Sequence, residues 1–325
     1  KVVIHPIKKS LCGNIHIPSS KSHAQRAMAL AMITQGKSHI KNIGQSLDEQ
    51  AVLEIVRQVT NGIESIEDDT FISGINPAEI PGKSYSIGES GLATRMLTPI
   101  LANSKNALTL TGKGSILTRP MNFFNSVLPQ LNVDFNSTNG KLPFQIQGPL
   151  TPKNITVDGS LSSQFITGIL YGFVASPLLK NEVLQIENLA SKPYFELSLE
   201  VLKSFGVDLE FKNDQIQFNG PYELTPAIIQ VEGDWSSASF LLVAGAIYGE
   251  ISISNLQHNS KQADSAILTA LEKFGATIKW KNDTLTVSKN QLNGFHFDAT
   301  DCPDLFPPLA VLGAFGKDKS TIKGI

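Results

Sequence analysis

The chain has 325 residues, 41% of them hydrophobic and 17% charged, with a formal net charge of −2. That length accommodates two domains with substantial cores, and the balance excludes disordered and fibrous chains. A charge so near zero provides no basic field for nucleic acid or anionic lipid, so an anionic ligand has to be gathered by a local cluster.

The opening KVVIHPIKKS lacks the long apolar region of a secretory signal. The stretch that follows, PSSKSHAQRAMALA at 18–31, sets Ser19, Ser20, Lys21 and Ser22 before an apolar run that contains Arg26. A single Ser would cap such a helix, and for Ser19 or Ser20 alone capping is the expected role. Lys21, Ser22 and Arg26 together do more. Free N–H groups and the helix dipole favour an anion at this end, and Arg26 lies one turn beyond Ser22 on the same face. The expected ligand is a phosphate or a carboxylate.

Next in the chain, SHIKNI alternates like a strand, and GESGLATR opens a second helix at 88–95. Gly88 and Gly91 there allow backbone to approach a ligand near Arg95. After the strand NALTLTG, TGKGSILTRPM carries Arg119 just before a proline, where a guanidinium can hold an oxyanion bidentately. The third such start, DGSLSSQFITGIL, offers Ser162, Ser163 and Gln164, directional groups suited to a polyhydroxylated, anionic small molecule. Farther on, FELSLEVLKSFG and SAILTALEKFG have helical periodicity, and VDLEFKNDQIQF and ATIKWKNDTLTV read as hairpins around Lys-Asn-Asp turns. Asp234 in VEGDWSSASF reads as an N-cap. Asp304 in DCPDLFPPLAVL reads as an N-cap or a general base.

These segments repeat. Ser22, Ser90, Ser162, Ser236 and Asp304 mark five starts separated by 68, 72, 74 and 68 residues. Each unit runs polar cluster, helix, strand, helix, hairpin, and so predicts β-α-β-α-β-β. The fifth unit stops at Ile325 after its first strand, and the chain is expected to be incomplete.

Other chemistries fail on the residues. Gly36-Lys37-Ser38 and Gly82-Lys83-Ser84 end like P-loops, but Ala31 and Pro77 stand where the first glycine should be. The histidines lack metal-ligand spacing, and no G-x-S-x-G elbow occurs, so neither metal nor acyl-enzyme chemistry is expected. The two cysteines, Cys12 and Cys302, form no C-x-x-C pair or disulfide framework and point to a reducing compartment. The longest apolar run, ASFLLVAGAIYG, is too short for the roughly 20 residues that span a bilayer. A soluble, cytoplasmic protein is expected.

PSSKSHAQRAMALA, GESGLATRML, LTRPM, DGSLSSQFITGIL, SKPYFELSLEVLKSFGV, VEGDWSSASF, NSKQAD and DCPDLFPPLAVL occur in the order found in the EPSP synthase (3-phosphoshikimate 1-carboxyvinyltransferase) family, which the whole chain resembles. The resemblance implies an α/β protein with the two-domain enolpyruvyl transferase fold, an inverse α/β barrel of six βαβαββ units. About four and a half of the six are present. It implies a domain of residues 19–230 and a discontinuous one of residues 1–18 plus 231–325. It further implies transfer of the enolpyruvyl group of phosphoenolpyruvate to the 5-hydroxyl of shikimate 3-phosphate, with release of phosphate, by a monomer without cofactor or metal. The partners would be these two small molecules, with no nucleic acid and no membrane.

Carried over by position, the resemblance gives shikimate 3-phosphate the residues Lys21, Ser22, Arg26, Ser162, Ser163, Gln164, Ser191 and Asp304, with Tyr194 from SKPY beside them. Phosphoenolpyruvate receives Lys21, Gly91, Arg119 and Gln164. Asp304 would accept the 5-hydroxyl proton, and Lys21 would touch both substrates. The family's N-A-G-T-A-x-R is here Glu89-Ser90-Gly91-Leu92-Ala93-Thr94-Arg95, so a negative charge lies beside the expected phosphate position and bears on glyphosate sensitivity. The family's K-E-[ST]-x-R motif, with its proton donor, would follow Ile325, so the chain by itself is expected to be crippled. Two alternatives stand beside this reading. A UDP-N-acetylglucosamine enolpyruvyl transferase would show K-N at the first helix and a reactive loop cysteine. A non-catalytic phospho-ligand-binding fragment is the other.

Overall fold

In a computed structural model, residues 2–3, 9–67 and 69–324 are described. They divide into two compact units, Lys1–Ser20 with Glu232–Ile325, and Lys21–Val231. The helices are α1 (Lys21–Ile33), α2 (Leu47–Val59), α3 (Gly91–Leu101), α4 (Asn122–Val127), α5 (Ser163–Val174), α6 (Lys192–Ser204), α7 (Trp235–Tyr248), α8 (Ile267–Phe274) and α9 (Phe306–Ala314).

The repeat expected from spacing is visible in the sheets of the larger unit. Ser84–Ser86 pairs in parallel with Leu108–Thr111 across α3, and that strand pairs antiparallel with Lys141–Gln147 of the hairpin formed with Asp134–Thr138. Ile155–Asp158, Val183–Glu187, Gln215–Gln217 and Phe211–Lys212 repeat that order around α5 and α6. Asn213 and Asp214 both adopt positive φ, 53° and 56°, as a two-residue type I′ turn requires. The sheet around α1 differs in one respect. Its parallel edge strand, Ile228–Gln230, comes from the far end of the unit to pair with Gly36–Lys41.

Within this unit α1, α3 and α5 form the centre. α1 is buried from Ala24 to Ile33, and every residue of α5 except Gln164 is buried. α5 is largely apolar all round, as suits a helix in an interior, and α1 is so after Arg26. α3 and α5 run parallel and very close. A Cβ on Gly168 would stand 2.2 Å from the Arg95 carbonyl oxygen, and one on Gly172 would stand 2.8 Å from the Pro99 Cβ. Pro99 has no N–H for that Arg95 carbonyl four residues back. Asn103 Nδ2 then joins the helices lower down, donating to the Gly172 carbonyl at 2.9 Å.

The smaller unit has one complete sheet of the same order. Leu11–His16 pairs in parallel with Gly249–Ser254, followed by Thr284–Ser288 and Thr277–Lys281. Its core gathers Trp235, Leu242, Ile251, Ile267, Leu271, Phe274, Leu285 and Leu309. His296–Asp298 and Thr321–Lys323 form a further parallel pair across α9. Phe240, Val311 and Phe315 on α7 and α9 remain about half exposed.

Candidate functional site

In the larger unit, polar side chains collect at the starts of α1, α3, α5 and α6. The first-turn N–H groups of a helix have no partner inside the helix, so each start offers donors. Lys21 begins α1, with its ammonium 3.7 Å from the Asp48 carboxylate on α2. Both side chains are partly exposed, so the pair is a weak restraint. Arg26 lies one turn deeper and is 1% exposed. Nε donates to Ser198 Oγ at 2.8 Å, Nη1 to the Ser22 carbonyl at 2.8 Å and Nη2 to the Tyr194 carbonyl at 3.2 Å. Three of its five N–H groups are thereby committed to protein acceptors. His23, on the same turn, has its pKa pushed down to about 4 by burial and then by the Arg26 charge.

The start of α3 is tied to that of α1. Ser90 accepts from the Ala93 N–H at 3.2 Å as N-cap and donates to Gln25 Oε1 at 2.9 Å. Gln25 in turn donates to the Lys21 carbonyl at 3.1 Å. Beside this lies Gly91. A methyl group there would stand 3.0 Å from Arg95 Nη1 and 3.2 Å from Arg119 Nη1, so two guanidinium groups face the same bare stretch of backbone. Arg95 Nη1 also donates to Gln164 Oε1 at 2.7 Å, and its guanidinium lies 5.0 Å from the centre of the Phe165 ring. Its Nε is buried without a partner among the described residues. Burial and then the Arg119 charge lower the Arg95 pKa. Two like charges at close range are stabilised by an anion between them.

Glu89 does not fill that role. Its carboxylate accepts from the Ser115 N–H at 2.9 Å and sits against Gly114, whose φ is +61°. The Ser115 hydrogen bonds, and then the Lys113 and Arg119 charges, hold its pKa below the usual carboxylate range. The acidic residue therefore fastens the turn Gly114–Thr118 that leads into Arg119.

At α5, Ser162 caps the helix by accepting from the Gln164 N–H at 3.3 Å, while Ser163 is buried at the first helical position. Gln164 is held by Arg95. Ser191, before α6, has φ 51° and ψ 49°, a left-handed conformation that costs a non-glycine residue about 1–2 kcal/mol. Such local strain points to a constrained site. The Tyr194 N–H donates to the Ser191 carbonyl at 3.0 Å, which brings SKPY to the Arg26 guanidinium.

Eight of the sequence-derived candidates therefore fall into two linked clusters. One holds Ser22, Arg26 and Ser191, with Ser163 reached through the buried hydroxyls of α5 and α6 and Ser162 next to it as the cap of α5. The other holds Gly91, Arg119 and Gln164. Lys21 heads the helix between them. Asp48 is an addition, and Arg95, named from the sequence only as the arginine near Gly88 and Gly91, joins the second cluster through Gln164. Arg95 was legible as an arginine one turn beyond Gly91, whereas nothing in the sequence connects Asp48 to Lys21.

Asp304 belongs to the smaller unit, exposed in the turn Pro303–Leu305 that leads into α9. There Asp234 caps α7, accepting from the Ser237 N–H at 2.6 Å, as its sequence position predicted. Cys302 is buried, and burial followed by the Asp264, Asp301, Asp298 and Asp304 charges pushes its thiol up to about 12. Such a thiol is a poor nucleophile. Among the described residues no His, Cys, Asp and Glu cluster of three or more could hold a metal ion.

A family described as EPSP synthase (3-phosphoshikimate 1-carboxyvinyltransferase) matches residues 6–325. The 3-phosphoshikimate 1-carboxyvinyltransferase of Clostridium novyi is 32% identical over 320 residues, 95% of this chain and 73% of the relative. That of Thermococcus kodakarensis is 34% identical over 329 residues, 99% of this chain and 77% of the relative. Among solved structures, EPSP synthase from Acinetobacter baumannii superimposes with a TM-score of 0.80 at 23% identity, over 98% of this chain and 74% of that one. The enolpyruvyl transferase NikO from Streptomyces tendae does so with 0.73 at 17% identity, over 97% and 75%. At those identities the structural likeness speaks for the fold, the enolpyruvyl transferase fold that the resemblance implied.

Proposed function

The chain belongs to the EPSP synthase family, and on that premise we propose the roles of its residues in the family reaction. The enzyme is a 3-phosphoshikimate 1-carboxyvinyltransferase of the shikimate pathway. It joins the enolpyruvyl group of phosphoenolpyruvate to the 5-hydroxyl of shikimate 3-phosphate and releases phosphate. Lys21, Ser22, Arg26, Ser162, Ser163, Gln164 and Ser191 bind shikimate 3-phosphate. Lys21, Gly91, Arg119 and Gln164 bind phosphoenolpyruvate, and Arg95 joins them as the residue that orients Gln164.

One observation carries this reading. Two guanidinium groups converge on Gly91, among the described residues neither is in an ion pair, and the Gln164 amide in the first turn of serine-capped α5 is held beside them. A small, multiply charged anion satisfies that arrangement, and the adjoining hydroxyls suit a polyhydroxylated partner. Fixing both ligands on helix starts removes much of the entropic barrier to joining them, a contribution of up to about 7–11 kcal/mol. Asp304 is assigned as the base that takes the 5-hydroxyl proton, which frees the oxygen to attack the enol carbon. The reading extends to a monomer, since all these residues lie in one chain. It also extends to the cytoplasm, in keeping with two free cysteines.

Calorimetric titration of the protein with shikimate 3-phosphate, with UDP-N-acetylglucosamine as control, tests the assignment. Saturable binding of the first ligand alone is expected, and Ser163→Ala combined with Arg26→Ala should weaken it at least a hundredfold. Binding of the nucleotide sugar in its place would overturn the substrate assignment.

A further inference from the structure

Below the proposed shikimate 3-phosphate contacts lies a buried polar group with no place in the sequence reading. Ser198, on the second turn of α6, is fully buried. Its hydroxyl receives the Arg26 Nε–H at 2.8 Å and has one proton to give, with Thr167 Oγ1 at 2.8 Å and the Tyr194 carbonyl at 3.0 Å as the two acceptors in reach. Thr167 donates to the Ser163 carbonyl at 3.1 Å, and Arg26 reaches the carbonyls of Ser22 and Tyr194. Tyr171 closes the group from below, its hydroxyl donating to the Ser198 carbonyl at 2.9 Å.

The acceptors are what make this group more than a satisfied core. Ser22, Ser163 and Tyr194 stand in the first turns of α1, α5 and α6: the Ser22 carbonyl faces Arg26, the Ser163 carbonyl faces Thr167, and the Tyr194 carbonyl faces both Arg26 and Ser198. Those three helix starts carry the hydroxyls and the guanidinium assigned to shikimate 3-phosphate. A hub that only had to pair a buried arginine would need neither the Thr167 hydroxyl nor a serine shared by two helices. A fully satisfied buried network fixes one arrangement of its members, and a binding constellation tolerates errors of only about half an ångström in its supporting shell.

We propose that Ser198 is the positioning residue of the shikimate 3-phosphate half-site: it aims the Arg26 guanidinium and, through Thr167 and the Tyr194 carbonyl, locks the starts of α1, α5 and α6 in register. The proposal rests on the substrate assignment above. The second cluster around Gly91 is joined to α1 and α5 by contacts of its own, Gln25–Ser90 and Arg95–Gln164, neither of which involves Ser198.

The test compares Ser198→Ala, Ser198→Thr and Val201→Ala by titration with shikimate 3-phosphate and by thermal melting. Val201 is a buried residue of the same helix outside the network. Ser198→Ala should weaken binding at least tenfold. Ser198→Thr, which keeps the hydroxyl, should stay within threefold of the parent. Val201→Ala should lower the melting temperature and leave affinity within threefold. If Ser198→Ala does not fold, Thr167→Val carries the test, with at least fivefold weaker binding expected. Parent-like affinity in Ser198→Ala, or in Thr167→Val where that stands in, would reduce the hub to packing and overturn the proposal. A parent that binds no shikimate 3-phosphate overturns the substrate assignment first, and the role of Ser198 with it.

Discussion

At the scale of single residues, the site is governed by where burial puts charge. His23 is the clearest case because its pKa falls to about 4 from an ordinary 6.5. The folded state binds fewer protons than the unfolded chain between these values, so stability rises with pH across that window. Below pH 6.5 protonation favours unfolding, and the loss is complete near pH 4. The expected outcome is a melting temperature that drops from pH 7 to pH 5 more steeply in the parent than in His23→Gln. Equal slopes would mean that His23 is not the group responsible. Glu89 teaches the converse lesson. From sequence it is a charge intruding on an anion site, yet one hydrogen bond to the Ser115 N–H turns it into the anchor of the turn before Arg119.

At the scale of elements, the decisive contact is the close approach of α3 and α5. It is built from Gly168 and Gly172 against a stretch of α3 that ends at Pro99. Gly168→Ala would gain up to about 1 kcal/mol of helix propensity in isolation. Here its new methyl meets a backbone carbonyl oxygen at 2.2 Å, and neither helix can withdraw without moving the Arg95–Gln164 contact. Overpacking of this kind costs about 1–3 kcal/mol, and a backbone obstacle puts it at the upper end. Chemical denaturation should therefore show Gly168→Ala with a clearly lower midpoint. A midpoint at or above the parent's would refute the close-packing account. The same contact shows what sequence patterning reaches. Periodicity gave the helices and alternation gave the strands, because these depend on neighbours three, four or two residues away. The starts of the helices were legible as sites for the same local reason. Arg95 bound to Gln164, Asp48 beside Lys21, and Ser198 beneath Arg26 were not, because each pairs residues separated by 27 to 172 positions. No local rule connects them.

At the scale of the whole molecule, the chain passes from one unit to the other after Ser20 and returns after Val231. Each passage separates an edge strand from the helix that follows it. Leu11–His16 completes the smaller unit's sheet but precedes α1 of the larger one, and Ile228–Gln230 completes a sheet of the larger unit but precedes α7 of the smaller. Each unit is thus closed by a strand whose following helix belongs to the other unit. That arrangement assigns residues 11–16 a defined burden. They pair along their whole length with Gly249–Ser254, where a Cβ on Gly249 would stand 1.9 Å from the Leu11 carbonyl oxygen. Removing residues 1–18 should then expose one side of Gly249–Ser254 and leave the hydrogen bonding inside residues 21–231 intact. Native-state hydrogen exchange reads this directly. Amides of 249–254 and of the adjoining 284–288 should exchange faster by at least an order of magnitude, while those of α1, α3 and α5 keep their protection. Loss of protection spread evenly over both units would mean that the strand's contribution is not confined to the sheet it completes, and that the two units do not divide their stability along the line their strands describe.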